Sequence, residues 1–402
     1  MRYASMTERL ADLGSNKWEL HAEGRALARA GKPVIELTIG EPDIAPDETL
    51  LDVCNDAMRA GRTRYSNGRG EPAVLDALAA KYSARSGRTI TTDNVLCFPG
   101  TQTALFSVFM AVVEAGDEVL VPDPYYATYE SVIRAPGATV VPVPLRKENR
   151  FHLAAADLEA AITPRTRALL LNSPHNPSGA VLGLDEIRAI GEICRKHDLW
   201  LISDEVYEHL IFDGGFASPL DLPELAERTV VVSSISKSHA APGFRSGWAI
   251  GPAEFCARLL PISESMLFGG QPFIADMTAH ALAHDLPTSR IMREQYGRRA
   301  ALVADRLGRV AGLEPIPPEA GMFILVDVAA TRLSGEAFAR SLLDNVLVSV
   351  MPGSSFGAEA ESLIRLSLTV PDETLLEACE RIAAHTGELM SKQGLDALRA
   401  LV

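Results

Sequence analysis

Lysine is scarce in this chain: its 402 residues hold seven, at 17, 32, 81, 147, 196, 237 and 392. Lys237 alone closes a hydroxyl-flanked stretch, Ser234-Ile-Ser236-Lys237, behind the apolar run Thr229–Ser234. Burial at a strand end disfavours the ammonium, lowers its pKa and leaves an amine able to attack a carbonyl. Asp204-Glu-Val-Tyr207 follows Leu-Trp-Leu-Ile-Ser203 in the same way. A carboxylate there must find a cation or a hydrogen-bond donor, although an aspartate so placed also caps helices. Gly243-Phe-Arg245 sets a guanidinium eight residues beyond Lys237. With the hydroxyls of Ser234 and Ser236 it suits a phosphate monoester. Pro99-Gly100-Thr101-Gln102 offers the free N–H groups of a helix start to the same kind of anion. Asn172-Ser-Pro-His-Asn176-Pro-Ser-Gly179 is a turn stiffened by two prolines, whose amide side chains can hold one direction.

These groups fall at the ends of apolar runs, and the runs define the fold. Val95–Phe98, Glu118–Val121, Ala168–Asn172, Leu199–Ser203 and Thr229–Ser234 read as strands, with helical stretches at Thr103–Glu114 and Asp185–His197. Apolar strands separated by helices form a mostly parallel central sheet covered on both faces, an α/β architecture. In such sheets ligands lie beyond the carboxyl ends of the strands, where Asn172, Asp204 and Lys237 stand. After residue 290 the pattern becomes a charged helix, Arg293–Leu307, then strands at Gly321–Val328, Val346–Val350 and Leu363–Val370, and a helix at Glu373–Met390. This predicts a smaller α+β domain of residues 1–45 plus 289–402 beside a large domain of residues 46–288.

Composition narrows the function. The chain carries 52 acidic and 38 basic residues, a net charge of −14, so it lacks the basic surface that nucleic-acid phosphates require. No apolar run is long enough to span a bilayer, and the opening Met-Arg-Tyr-Ala-Ser has no signal-peptide core. Five cysteines (Cys54, Cys97, Cys194, Cys256, Cys379) stand singly without a CxxC pair, which predicts neither disulfides nor a metal site. A cytoplasmic protein acting on small molecules is the expectation.

A lysine for a Schiff base, an aspartate for a pyridinium nitrogen and a phosphate cradle are the groups that pyridoxal 5'-phosphate requires. From about Gly40 to Arg365 the chain resembles the class I aminotransferases of the fold-type I pyridoxal-phosphate family. The resemblance is carried by Gly40-Glu-Pro-Asp43, Tyr65 with Gly70, Gly100-Thr-Gln102, Asn172-x-Pro-x-Asn176-Pro-x-Gly179, Asp204-x-x-Tyr207, Ser-x-Ser-Lys237 with Arg245, and Ile364-Arg365-Leu. It implies that Lys237 carries the cofactor, that Asp204 pairs with the ring nitrogen, and that Tyr207 and Asn176 bond the ring hydroxyl. Ser234, Ser236, Arg245, Gly100, Thr101 and Gln102 then surround the phosphate, and Tyr126 stacks on the ring, with Tyr125 as the alternative register. Arg365 clasps the substrate α-carboxylate, Gly40 and Asn176 lie close to it, and Trp18 closes over the substrate. Tyr65 reaches the phosphate of a neighbouring subunit, which implies a homodimer.

The implied reaction is ping-pong transfer of an amino group from an L-amino acid to a 2-oxo acid. Asn-Ser-Pro-His-Asn-Pro-Ser-Gly, His197-Asp-Leu-Trp-Leu-Ile-Ser-Asp204 and Ser-Lys237-Ser-His-Ala resemble the arginine–pyruvate branch, and an aspartate-type donor is the other expectation. Gly243-Phe244-Arg245 departs from the commoner Gly-Trp-Arg. A β-eliminating lyase shares the fold and cofactor. Gly353-Ser-Ser355-Phe-Gly357 also fits the G-x-S-x-G elbow of serine hydrolases. That elbow should lead from a strand into a helix, and only Ala358–Ser362 separates it from the next strand.

Overall fold

In the computed structural model, which describes residues 1–11, 13 and 16–399, the chain forms two sheets. The strands, in chain order, are β1 (Ile35–Leu37), β2 (Val95–Phe98), β3 (Glu118–Asp123), β4 (Thr139–Pro144), β5 (Thr166–Asn172) and β6 (Trp200–Asp204). They continue with β7 (Thr229–Ser234), β8 (Gly247–Ile250), β9 (Glu314–Ile316), β10 (Phe323–Asp327), β11 (Val348–Pro352) and β12 (Leu363–Ser367). The larger sheet has the order β2-β8-β7-β6-β5-β3-β4, with only β8 antiparallel to its neighbours. The smaller has the order β1-β11-β12-β10-β9.

Burial on both faces explains the unbroken apolar runs of the larger sheet. Ile202, Val230 and Val232 pack on one side with Phe98, Val108 and Phe109, while Leu201, Leu169 and Leu171 pack on the other with Ile187 and Ile190. The register sets Asn172 beside Asp204 at the common carboxyl end of β5 and β6. β7 ends there too, and Ser234 caps the short helix Ile235–Ser238 that presents Lys237.

In the smaller sheet, Ile324, Val326, Ile364 and Leu366 face a core shared with the helices Thr288–Leu307, Gly335–Val346 and Asp372–Arg399. Residue alternation along a strand then turns Arg365 and its cross-strand partner Leu325 to the opposite face. Among the described residues the cysteines are all free, and no helix is long and apolar enough to cross a membrane.

Several boundaries differ from the sequence expectation. The helix expected at Thr103 begins at Thr101, because Gly100 at φ 88° breaks the extended chain there. The strand expected from Val346 begins at Val348: Val346 still ends a helix, and Leu347 at φ 55° turns the chain. The strand expected to reach Val370 stops at Ser367, whose hydroxyl accepts from Thr369 N and shares a hydrogen bond with its hydroxyl. The G-x-S-x-G segment forms one 3-10 turn, Gly353–Ser355, and the Ser355 hydroxyl donates to the Lys17 carbonyl at 2.9 Å. That geometry is no nucleophile elbow.

Candidate active site

A cavity of about 400 Å³ lies where the two sheets meet. Its lining brings together Trp18, Gly40, Thr101, Gln102, Tyr126, Asn176, Asp204, Tyr207, Ser234, Ser236, Lys237, Arg245 and Arg365 of the expected residues. It adds Glu41, Tyr129 and Phe323, to which the sequence assigns no role, and Asn172, which the sequence places at a strand end without one. Gly100 sits behind the lining: a Cβ there would come within 2.2 Å of Arg245 Nη2. Tyr65 stands outside this chain's own cavity, 85% exposed and edge-on to the exposed Phe268 ring.

Asp204 is buried at the end of β6. Tyr129 donates its hydroxyl to Oδ2 at 2.7 Å, and Val206 N donates to Oδ1 at 3.2 Å. Burial nevertheless raises its pKa to about 6, with the Tyr129 bond opposing the shift. Lys237 Nζ donates to the Gly40 carbonyl at 2.5 Å. Burial pulls its pKa down to about 8, while the Glu41 carboxylate works the other way. An amine in that range keeps a neutral minority near physiological pH, far larger than that of an ordinary lysine, so it can serve as nucleophile and as base.

Arg365 is 1% exposed. Nη1 donates to Asn176 Oδ1 at 3.0 Å and Nη2 to the Thr38 carbonyl at 2.6 Å. Its guanidinium lies between the rings of Phe323 and Phe356, at 3.8 and 4.4 Å from their centroids. Nε is buried without a partner, and desolvation lowers the pKa to about 10. A buried cation held only by neutral acceptors is built to receive an anion. Asn176 also donates to the Tyr207 hydroxyl at 3.4 Å, which joins Arg365 to Tyr207.

Across the cavity, Arg245 donates to the carbonyls of Pro242 and Pro99 at 2.8 and 3.4 Å. The Thr101 hydroxyl beside it is buried and unpartnered. These groups and the two β7-end serines suit a phosphate, so the residues present fit pyridoxal phosphate at one end and a carboxylate at the other.

Residues 32–382 match the family of aminotransferase class I and II. The chain belongs to that family: it is an α/β aminotransferase, an enzyme that moves an amino group between an amino acid and a 2-oxo acid. Among its relatives, the arginine–pyruvate transaminase of Pseudomonas aeruginosa is 44% identical over 98% of this chain and the whole of that protein. An aspartate aminotransferase of Geobacillus stearothermophilus is 32% identical, covering 90% of this chain and 93% of its own. The solved aspartate aminotransferase of Thermus thermophilus with maleate superposes with a TM-score of 0.90 at 32% identity, covering 96% of this chain and 100% of that one.

Proposed function

We propose that the cavity holds pyridoxal 5'-phosphate on Lys237 and that the enzyme's donor is an L-amino acid with a cationic or neutral side chain, arginine before aspartate. The observation that carries the cofactor is the convergence of a half-buried, low-pKa Lys237, a buried Asp204 and an unpartnered Thr101 hydroxyl beside Arg245. Bound there, pyridoxal phosphate supplies an aldehyde for the amine and a ring that draws electrons from the donor Cα. Asp204 holds a proton on the ring nitrogen, and Tyr129 keeps that carboxylate ionised. Tyr207 and Asn176 orient the ring hydroxyl, and Tyr126 covers the ring face. Arg365 fixes the donor's α-carboxylate, so its Cα–H is presented to one group. Lys237 Nζ is that group: it removes the proton and returns it one carbon further along.

Charge supports the choice of donor. The cations lining the cavity are Lys237, Arg245 and Arg365, and each already has a role. None is left within this lining for the second carboxylate of aspartate, while Glu41 stands at the rim as an exposed carboxylate. Trp18 adds an aromatic face, on which a guanidinium stacks favourably. Identity to the arginine–pyruvate relative points the same way, with pyruvate as acceptor. Tyr65 we assign to the phosphate of a second subunit, in keeping with its exposure.

The test is the visible spectrum of the protein with pyridoxal phosphate as single amino acids are added without a 2-oxo acid. We expect the lysine-bound band to convert to that of the aminated cofactor, with arginine at least tenfold faster than aspartate. A faster aspartate overturns the donor assignment. Ammonia and pyruvate from cysteine-type donors, without the aminated band, would make the enzyme a lyase. Lys237→Ala should keep the fold and the cofactor and lose turnover.

A further inference from the structure

The turn that follows β6 presents its side chains to two different places. Asp204 and Tyr207 line the cavity. Glu205 and Glu208 do not, and their side chains are 0% and 6% exposed. Glu208 N donates to the Glu205 carbonyl at 3.0 Å, which closes residues 205–208 into a β-turn. Glu205 N donates to the Val232 carbonyl at 3.0 Å and ties the start of that turn to β7.

Both carboxylates meet the helix Pro72–Ser86. Arg85 Nη1 donates to Glu205 Oε2 at 3.0 Å and to Glu208 Oε2 at 2.9 Å. Arg85 Nε donates to Asp221 Oδ1 at 3.1 Å, and the guanidinium lies over the rings of Tyr82 and Phe216, 4.6 and 5.4 Å from their centroids. Lys81, one helical turn back, donates to Glu208 Oε1 at 2.7 Å. The hydroxyls of Ser203 and Ser218 donate to Glu205 Oε1 at 3.0 and 2.5 Å. Two cations and three carboxylates thus pack behind the turn. Such a cluster gains little stability over apolar packing, because desolvation offsets the attraction. What it supplies is one geometry: charge-assisted hydrogen bonds are directional, and a buried charge that loses its partner is costly. A single nitrogen of Arg85 bonds the first and the last residue of the turn, and the residues just before each, Asp204 and Tyr207, are those that face the cavity. We propose that Arg85 is a positioning residue, clamping both ends of the turn so that the Asp204 carboxylate and the Tyr207 hydroxyl keep the one spacing that suits the cofactor's ring nitrogen and ring hydroxyl.

The inference rests on the pyridoxal-phosphate reading above, and its test separates the two. Glu208→Ala and Asp221→Ala each remove one carboxylate that Arg85 bonds, and only the first lies on the turn. Glutamine at position 85 reaches no further than the place of Nε, so Arg85→Gln can keep Asp221 and loses both turn carboxylates. We expect Arg85→Gln and Glu208→Ala to lower kcat/KM about tenfold for every donor alike, as misplaced groups do, and to weaken pyridoxal-phosphate binding about tenfold. In the cofactor-free proteins, hydrogen exchange read by mass spectrometry should be about tenfold faster over residues 204–208 in both variants. Asp221→Ala should leave all three readouts at the wild-type level, whatever it does to the urea midpoint. If Asp221→Ala matched Glu208→Ala, the cluster would be a general support of the fold and the proposal would be overturned. Wild-type exchange or wild-type kinetics in Glu208→Ala would overturn it as well, and this pair decides even if Arg85→Gln does not fold. A wild-type protein that forms no lysine-bound band would instead remove the underlying reading, while exchange in the cofactor-free proteins would still report on the clamp.

Discussion

Replacing Arg365 by methionine separates what this residue does for binding from what it does for the fold. Methionine is apolar and unbranched, its methyl ends where the arginine's Nε stands, and it can still meet the near edges of the Phe323 and Phe356 rings. In the folded protein the exchange removes a desolvated cation, worth several kcal/mol in favour of the variant. It also strips Asn176 Oδ1 and the Thr38 carbonyl of their donors, at about 1–3 kcal/mol each. These contributions oppose one another, so urea unfolding should change by less than about 2 kcal/mol. Binding has no such offset. Losing one side of a buried charge pair costs about 2–5 kcal/mol, which at about 1.4 kcal/mol per tenfold raises KM by about 30- to 4,000-fold. The rise should appear for every amino donor and every 2-oxo acid, because all share the α-carboxylate. Steady-state kinetics with arginine, alanine and pyruvate, beside a urea melt, is the assay. An unchanged KM, or a rise confined to one donor, would refute the reasoning and make Arg365 a reader of side chains.

Three further outcomes follow from the same geometry. Tyr129→Phe removes the donor to Asp204 Oδ2; hydrogen bonds to charged groups are worth about 1.5–3 kcal/mol, so kcat/KM should fall about tenfold or more. Because that bond holds the Asp204 pKa down, the acid limb of the pH–rate profile should move to higher pH. Gly100→Ala sets a Cβ against Arg245 at a φ of 88°, and strain of about 1–3 kcal/mol should weaken pyridoxal-phosphate binding, measured by fluorescence titration, about tenfold. In the cofactor-free protein Asp204, at about pH 6, keeps a proton that the unfolded chain releases near pH 4. Its contribution to stability is thus present below pH 4 and lost as pH rises to 6. Asp204→Asn lacks that loss, so its urea midpoint should gain on wild type across this window and run parallel above it. The buried histidines His175 and His239, lowered to about 4, titrate in the opposite sense and cancel in the difference.

How much of this was legible in the sequence depends on how far apart the interacting residues lie. Asp204, Lys237 and Asn176 could be read because a parallel strand buried on both faces is an unbroken apolar run, and any polar group closing one stands out. Tyr129 could have been found: it lies three residues beyond Tyr126 and their rings meet edge-on at 5.6 Å, yet one more tyrosine in an aromatic stretch carries no polar signal. The Phe323 and Phe356 sandwich around Arg365 comes from β10 and from the turn after β11, brought together only by the smaller sheet. Nothing local marks either ring. The Thr38 and Gly40 carbonyls belong to the backbone, and side-chain pattern says nothing about where they point. Glu41 was visible within Gly40-Glu-Pro-Asp43, but its nearness to Lys237 is a tertiary fact.

The placement of those two carbonyls joins the chemistry to the fold. Arg365 is held by Thr38 and Lys237 by Gly40, so one short segment after β1 restrains both the buried Arg365 and the half-buried Lys237. A carbonyl offers a partial charge, whereas a carboxylate offers a full one and bonds a guanidinium on two sides. On the proposed function, an α-carboxylate entering the cavity would therefore outcompete Thr38 for Arg365, favouring substrates by charge before shape is read. Lys237 meets the opposite preference: its amine must be neutral to react, and a neutral acceptor such as the Gly40 carbonyl orients it without raising its pKa as an ion pair would. Glu41, next along the same segment, is the exception and does raise it. On the proposed function the segment thus serves both requirements of the reaction, a cation that stays charged for binding and an amine poised to lose its charge for proton transfer.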